Sequence, residues 1–442
     1  MSKKNLVKLL CWILFFPLFI FDSSKFKKSS FTANVNITSE SAILVNVDNG
    51  FREVFGKNSD KRMFPASTTK IMTFMIVVEN WNDLNAKVKV PKGILRQLEG
   101  TDSSVVGIKE NDVFTVKKLL EFMIVASGND AALVLADHLG NIDSFVQKMN
   151  EKAYELGCED THFVNVHGLH EDNHYTTARD LAKILNFATA NPLFQEIVKK
   201  TEVCLRDEDK TTSIPTTNII IDKTRSSGQY YPYATGGKTG YTDEAGKCLA
   251  TSAEKNGEKY ICVVLGDKSR ERKCVSETID LFEWAFNYLG WIEVVDKKQL
   301  IGEVKVNYAS KQDRLGLVPA ESVRCLLPKT LNKESINIKI DEIDAVDAPI
   351  KAGERIGSAT LSYANQVIAT VDVVAMTTIE QSKFIYIGFR IRDFISSPLF
   401  IILSSISTII LGIYITVNIL YQRKRTIKRN NIKKYRKYKK RT

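Results

Sequence analysis

The sequence contains little that would support a metal centre. Its seven cysteines form no C-x-x-C pair and show no Cys/His spacing typical of a zinc site. It has five histidines, and four of them lie close together, at His162, His167, His170 and His174. They offer no helical H-x-x-x-H pair with a nearby acid, so we expect them to hydrogen-bond within a polar loop. We predict neither a metal nor a cofactor.

Acidic residues are absent from the C-terminal tail. The net charge of +11 comes from this tail, because residues 423–441 contain 12 Lys and Arg and no Asp or Glu. The remainder carries 50 basic and 51 acidic residues and is therefore close to neutral. A nucleic-acid function for the body of the protein loses its main support, and an anionic lipid surface is the better partner for the tail.

Both ends of the chain have membrane features. Lys3, Lys4 and Lys8 precede an apolar stretch of signal-peptide length, but no good small-x-small cleavage site follows, so cleavage and a retained anchor both remain open. Near the other end, no residue between Asp393 and Arg423 is charged, and 397–421 is long enough to cross a bilayer as a helix. The basic tail behind this span predicts a cytoplasmic C-terminus and an exported body.

The stretch Phe64-Pro-Ala-Ser-Thr-Thr-Lys-Ile-Met-Thr73 is the first candidate for chemistry. A helix that begins near Ser67 places the Lys70 side chain one turn later, beside the serine hydroxyl. A desolvated lysine can take the proton that makes serine a nucleophile. The backbone N–H groups at the helix start could also stabilise an oxyanion. Alone, S-x-x-K is a weak motif.

Two further motifs follow in order. Ser127-Gly-Asn129 lies between two apolar helical patterns, at about 115–125 and 131–139. Lys238-Thr-Gly240 precedes two strands that flank an Asn256-Gly257 turn. Each motif has a purely structural interpretation, as a helix end or a strand end. Their order, separation and context together are typical of active-site serine penicillin-recognising enzymes.

The chain resembles the low-molecular-mass penicillin-binding proteins of peptidase family S11, which are D-alanyl-D-alanine carboxypeptidases. The matching stretches are Pro65–Thr73, Ser127–Ala132, His167-Gly-Leu169 with Asn173–Asp180, Gly237–Thr242 and, in a β-rich C-terminal part, Ala348–Gly357. The membrane span departs from the amphipathic helix that usually attaches this family to the membrane. This departure concerns topology and not chemistry, and it suggests a specialised version.

The resemblance implies a role for each motif residue. Ser67 is the nucleophile, Lys70 the general base and Ser127 the proton relay. Asn129 holds Lys70 and a substrate amide. Lys238 and Thr239 bind the terminal carboxylate, Gly240 allows close approach of the strand, and the N–H groups of Ser67 and Tyr241 form the oxyanion hole. Arg270 or Arg272 is a further candidate for carboxylate binding. The implied substrates are peptidoglycan stem pentapeptides, and β-lactams are the implied inhibitors.

We therefore predict an α/β catalytic domain, with a mainly antiparallel sheet flanked by helices as in β-lactamases and DD-peptidases, followed by a small all-β domain and a transmembrane helix. The segments are a signal peptide or anchor (1–33), the peptidase domain (34–290), the all-β domain (291–377), a juxtamembrane segment (378–396), the span (397–421) and a basic tail (422–442).

Two other functions and one disulfide remain open at this stage. The first alternative is a penicillin or muropeptide sensor or scaffold with little turnover. The second, a β-lactamase, is disfavoured because Glu171-Asp-Asn173 does not match the expected position of a deacylating glutamate. Cys248 and Cys262 could lie close together in a hairpin and form a disulfide, but buried free thiols are an equal expectation.

Overall fold

The computed structural model describes residues 33–101, 103–205, 213–226 and 228–438. The predicted signal peptide or anchor lies outside these residues. The chain divides into two compact units. The first contains residues up to 290 together with 328–330, and the second contains 291–327 and 331–442.

An antiparallel sheet forms the centre of the first unit. Its strands occur in the order β2-β1-β9-β8-β7. Their bounds are Ser41–Asn46 (β1), Arg52–Lys57 (β2), Ala234–Thr242 (β7), Gly246–Lys255 (β8) and Glu258–Asp267 (β9). The predicted Asn256-Gly257 hairpin is present between β8 and β9, and Asn256 and Gly257 both adopt the positive φ that a tight hairpin turn requires (55° and 83°).

Two short strand pairs accompany this sheet. One consists of β3 (Lys87–Lys89) and β4 (Val113–Thr115), and the other of β5 (Glu202–Cys204) and β6 (Ser213–Pro215).

Helices cover both faces of β9, which explains why nearly the whole strand is buried. Alternate side chains point to opposite faces. Ile261, Val263 and Leu265 join the main core with the helices α1 to α6, whereas Tyr260 and Cys262 contact Phe286 and Thr278 of α7. The helices are Lys70–Asn80 (α1), Val116–Val125 (α2), Asn129–His138 (α3), Ile142–Glu155 (α4), Ala178–Thr189 (α5), Pro192–Ile197 (α6) and Lys273–Tyr288 (α7).

Local capping explains the start of α5. The Thr177 hydroxyl accepts a hydrogen bond from the Asp180 N–H at 3.0 Å, which is the usual role of a threonine at a helix N-cap. Helix α1 is buried along most of its length, and α2, α3, α4 and α5 pack around it. The motif at its start is therefore held on several sides.

The suggested disulfide between Cys248 and Cys262 is wrong. The register of β8 and β9 places Thr251, and not Cys248, opposite Cys262. The six cysteines that the structure describes are all free.

The second unit is rich in β-structure, as predicted. A sheet runs in the order β14-β16-β17-β12-β11-β15, with only its β11–β15 pair parallel. Its strands are Gly302–Asn307 (β11), Arg314–Pro319 (β12), Asn337–Ile340 (β14), Ala345–Asp347 (β15), Arg355–Tyr363 (β16) and Gln366–Ala375 (β17). A separate pair consists of Leu289–Val295 (β10) and Val323–Pro328 (β13).

Two helices follow the β-structure, Lys383–Ile395 (α8) and Pro398–Tyr438 (α9). In the described chain, the part of α9 over Pro398–Lys433 is long and apolar enough to cross a membrane, with a mean hydropathy of 2.3 in its apolar window. The apolar and basic parts of the C-terminus therefore form one continuous helix.

Candidate active site

The Ser67 turn differs in one respect from the predicted helix start. Ala66–Thr69 form a 3-10 turn, and the α-helix begins only at Lys70. Ala66 has a φ of +47°, which is uncommon for a residue with a Cβ. The turn still places the Lys70 amine 2.8 Å from the Ser67 hydroxyl oxygen.

The environment of Lys70 disfavours its charged form. The side chain is 0% exposed, and its amine lies 2.8 Å from the backbone carbonyl oxygen of His167. Burial lowers the pKa of Lys70 well below its ordinary value, and the Lys238 charge lowers it further, while Asp130 opposes this shift. Lys70 is therefore suited to accept a proton.

Two glycines allow other segments to approach the Ser67 peptide. A Cβ on Gly240 would lie 2.9 Å from the Ser67 nitrogen. A Cβ on Gly168, which has a φ of +89°, would lie 1.9 Å from the Ala66 carbonyl oxygen. Any side chain at either position would displace the Ser67 turn or the segment that packs against it.

Ser127 and Asn129 lie where α2 ends and α3 begins. Ser127 has a φ of +63°, and Asn129 is the first residue of α3 and is 2% exposed. Within the described part of the chain, the buried Asn129 amide oxygen has no hydrogen-bond partner. Since buried polar atoms are normally paired, this oxygen is available to a ligand.

Lys238 connects the Lys238-Thr-Gly240 motif to the Ser127-Gly-Asn129 motif by a side-chain contact. Its amine lies 2.9 Å from the Ser127 hydroxyl and 2.8 Å from the Thr239 carbonyl oxygen. Burial lowers the pKa of Lys238 to about 7. The next side chain, Thr239, donates a hydrogen bond to the Thr217 hydroxyl at 2.7 Å. Tyr241 is 59% exposed, and its hydroxyl donates to Asp243 at 2.7 Å.

The three motifs open into one cleft of about 710 Å³. Three basic side chains also line it, Arg225, Lys247 and Arg272. Of the two arginines considered from sequence, Arg272 contributes to this lining. Positive charge around a cleft favours an anionic ligand. The main site residues that line the cleft are Ser67, Ser127, Thr217, Thr239, Gly240 and Tyr241.

Three of the clustered histidines, His162, His167 and His174, make hydrogen bonds within or next to their loop. His170 and His174 are four residues apart but lie in a turn and not on a helix. His174 contacts Thr69, and His162 contacts the Asn173 carbonyl oxygen. Over the residues that the structure describes, no group of three His, Cys, Asp or Glu side chains could hold a metal ion.

Sequence reasoning missed Thr217, Thr69 and His174 as candidates for the site. Thr217 has no motif around it and reaches Thr239 from a loop 22 residues earlier. His174 was considered only as a metal ligand or a loop residue. Its contact with Thr69 spans 105 residues of sequence, and a local pattern cannot reveal such a pairing.

A serine–lysine turn, an inter-helix loop and a sheet strand that meet in one cleft define a serine enzyme of the penicillin-recognising class. The family described as D-alanyl-D-alanine carboxypeptidase, peptidase S11, matches residues 27–269. The C-terminal domain family of penicillin-binding protein 5 matches residues 292–381. The chain therefore belongs to the S11 D-alanyl-D-alanine carboxypeptidases, as the motifs predicted, and it is a serine-type enzyme of this kind.

Individual relatives agree with this assignment. The D-alanyl-D-alanine carboxypeptidase DacF of Bacillus subtilis is 30% identical over 356 residues, which cover 80% of this chain and 89% of the relative. DacC of Escherichia coli is 27% identical over 392 residues, covering 86% and 92% of the two chains. The crystal structure of penicillin binding protein 5 from Haemophilus influenzae matches with a TM-score of 0.60 and 26% identity, over 79% of this chain and 100% of that one.

Proposed function

We propose that the protein removes the terminal D-alanine from peptidoglycan stem pentapeptides through an acyl-enzyme on Ser67. The 2.8 Å contact between the Ser67 hydroxyl and the buried Lys70 amine is the observation that carries this proposal. A neutral amine at this distance accepts the hydroxyl proton while the oxygen attacks the carbonyl carbon of the penultimate D-alanine.

The tetrahedral intermediate needs stabilisation of its negative oxygen. The backbone N–H groups of Ser67 and Tyr241 supply it, and Gly240 lets the strand come close enough for both to reach one atom. Collapse of the intermediate breaks the peptide bond. The proton from Lys70 passes through the Ser127 hydroxyl to the leaving amine, so that D-alanine departs and the serine ester remains.

Recognition of a chain end requires a group that binds a free carboxylate. Lys238 and Thr239 fill this role, and Arg272 at the cleft wall adds positive charge. The unpaired Asn129 amide oxygen accepts a hydrogen bond from a substrate N–H. These contacts explain why only terminal residues would be removed.

Hydrolysis of the ester completes the cycle. Lys70 takes a proton from water, the hydroxide attacks the ester carbonyl, and the proton returns to Ser67 as the shortened peptide leaves. A β-lactam carries a strained amide and a carboxylate in a similar arrangement to D-alanyl-D-alanine, so it acylates Ser67 by the same steps.

We propose that the C-terminal helices attach this enzyme to the outer surface of a membrane, which the long apolar helix and the basic tail support. Residues 397–421 span the bilayer, and the basic tail lies in the cytoplasm beside anionic headgroups.

Helix α8 carries an exposed apolar stripe at helical spacing, formed by Phe384, Ile387, Ile391 and Phe394. Its opposite face packs against Tyr308, whose ring contacts Tyr386 and Phe389. The stripe therefore lies in the membrane interface.

The test is D-alanine release from a peptide that ends in D-Ala-D-Ala, by the full chain in detergent beside its Ser67→Ala variant. Release that disappears in the variant and is blocked by penicillin supports the whole proposal. Penicillin labelling of Ser67 without peptide turnover would favour the sensor instead. If the protein neither releases D-alanine nor is labelled by penicillin, the assignment of Ser67 as the nucleophile is refuted.

A further inference from the structure

The carbonyl group of Ala66 belongs to the same peptide unit as the Ser67 N–H. The Thr69 hydroxyl donates a hydrogen bond to this carbonyl oxygen at 2.8 Å. Nε2 of His174 lies 2.8 Å from the same hydroxyl oxygen. Thr69 and His174 are each 1% exposed, so both hydrogen bonds are shielded from water.

In the hydrogen bonds that link His174, Thr69 and Ala66, each donor points toward the Ala66 carbonyl oxygen. The Val164 N–H donates to Nδ1 of His174 at 3.1 Å, so Nδ1 carries no proton. In the neutral ring the proton must then be on Nε2, which donates to the Thr69 oxygen. The single hydroxyl proton of Thr69 is left for the Ala66 carbonyl oxygen.

The neutral state of His174 is favoured by its surroundings. Burial lowers the pKa of His174 to about 3, and the neighbouring His162 and His170 contribute to this shift. A second proton on the ring would also point Nδ1–H at the Val164 N–H. The tautomer that donates to Thr69 is therefore retained at neutral pH.

We propose that Thr69 and His174 are positioning residues that orient and polarise the Ala66–Ser67 peptide, and so strengthen the Ser67 N–H as a donor to the oxyanion. The inference rests on the proposed role of that N–H. A hydrogen bond accepted by a peptide carbonyl makes the N–H of the same unit a better donor, by roughly 10–30% per bond. The same bond fixes the orientation of the Ala66 carbonyl group, in a turn where Ala66 has an uncommon φ of +47°.

Thr68, the residue before Thr69, provides a matched control. The Thr68 hydroxyl donates to the Pro65 carbonyl oxygen at 2.6 Å, and Thr68 is 0% exposed. That carbonyl belongs to the Pro65–Ala66 peptide, whose N–H is not an oxyanion donor. Thr68→Val thus removes a similar buried hydrogen bond from the same turn without changing the peptide of interest.

The test measures the ester carbonyl stretch of the penicillin acyl-enzyme by infrared difference spectroscopy, with a ¹³C label in the β-lactam carbonyl and the full chain in detergent. Thr69→Val should shift the stretch to higher wavenumber, because the carbonyl is less polarised. It should also slow acylation by roughly tenfold, with the dissociation constant of the non-covalent penicillin complex unchanged. Thr68→Val should keep the wild-type stretch.

Rescue variants separate polarisation from packing. Thr69→Ser keeps the hydroxyl and should restore the wild-type stretch. His174→Gln can still donate to Thr69 and should give a smaller shift than His174→Phe. If Thr69→Val does not fold, Thr69→Ala removes the same donor and is measured in its place.

An unchanged stretch in Thr69→Val and Thr69→Ala, or an equal shift in Thr68→Val, would overturn the inference while leaving Ser67 as the nucleophile. Absence of an acyl-enzyme in the wild-type protein would instead refute the proposed function, and this inference with it.

Discussion

The Lys238 amine lies 2.9 Å from the Ser127 hydroxyl, and both groups lie beside the serine and lysine of the first motif. Burial lowers the pKa of Lys238 to about 7. The site thus contains two amines with lowered pKa values. In the proposed mechanism Lys70 must be neutral, whereas Lys238 must be charged when it binds a carboxylate.

The requirement for a neutral Lys70 and a charged Lys238 predicts a bell-shaped pH dependence of kcat/KM. Activity falls at low pH because Lys70 becomes protonated, and it falls as pH rises through about 7 because Lys238 loses its charge. A bound carboxylate raises the pKa of Lys238, so the alkaline fall in kcat should occur at higher pH than that in kcat/KM.

Lys238→Arg is the variant for this prediction, since arginine stays charged throughout the range. Its kcat/KM profile should lose the alkaline fall and keep the acidic one. An alkaline fall that persists unchanged would assign that titration to another group.

Lys70→Arg should abolish acylation, because a guanidinium cannot act as a base at neutral pH. We expect the rate of penicillin labelling to drop by at least about 10³-fold. Lys183→Arg is a suitable control, because Lys183 is also buried, is 6% exposed, and pairs with Asp180 at 3.0 Å outside the cleft. Rapid labelling of Lys70→Arg would show that another group deprotonates Ser67.

Gly240→Ala tests the close approach of β7 to the nucleophile turn. The new methyl group would lie 2.9 Å from the Ser67 nitrogen, so the turn or the strand must move and the oxyanion donors separate. We expect acylation to slow by about 10²-fold, comparable to the loss of one oxyanion donor. Gly50→Ala, with a φ of +91° in open space, should cost about 1 kcal/mol of stability and leave acylation intact. Equal acylation rates in the two variants would contradict the prediction.

Thr217→Val removes the hydroxyl that accepts a hydrogen bond from Thr239. When Thr239 turns its proton to a substrate carboxylate, the Thr217 hydroxyl can donate to the Thr239 oxygen, and valine cannot. KM for a D-Ala-D-Ala peptide should therefore rise several-fold, by an amount typical of about 1 kcal/mol. Thr217→Ser keeps the hydroxyl and should behave like the wild type. A fall in kcat with KM unchanged would instead indicate a role after substrate binding.

With residues 1–33 replaced by a cleavable signal peptide, so that no N-terminal anchor remains, removal of residues 397–442 should release the protein from membranes under alkaline carbonate. The chain that keeps residues 397–442 should stay bound. A cysteine introduced at Thr442 should react with a membrane-impermeant maleimide only after the cells are opened. Labelling of that cysteine in intact cells would contradict the proposed topology.

Phe384→Asp and Ile387→Asp in the shortened chain should further weaken vesicle binding if the α8 stripe contacts lipid.

Several parts of this architecture could be predicted because they depend on local patterns. An Asn-Gly pair selects a tight turn, Thr177 caps α5, and the uncharged run before Arg423 identifies a long apolar helix. The spacing of Ser67 and Lys70 also predicts their contact, since three residues make nearly one helical turn. The left-handed Ala66, which shortens that helix, could not be predicted, because it depends on Gly168 and Gly240 packing against the turn.

By itself the sequence determined the motifs, the helices and hairpins that carry them, and the family. Only the tertiary structure decided that β1 lies between β2 and β9, that Thr217 faces Thr239, and that His174 reaches Thr69. The physical reason is that local conformation depends on neighbours a few residues away, whereas these contacts join segments far apart in the chain. Burial of the shared core brings such segments together, and it also lowers the pKa values of the two lysines.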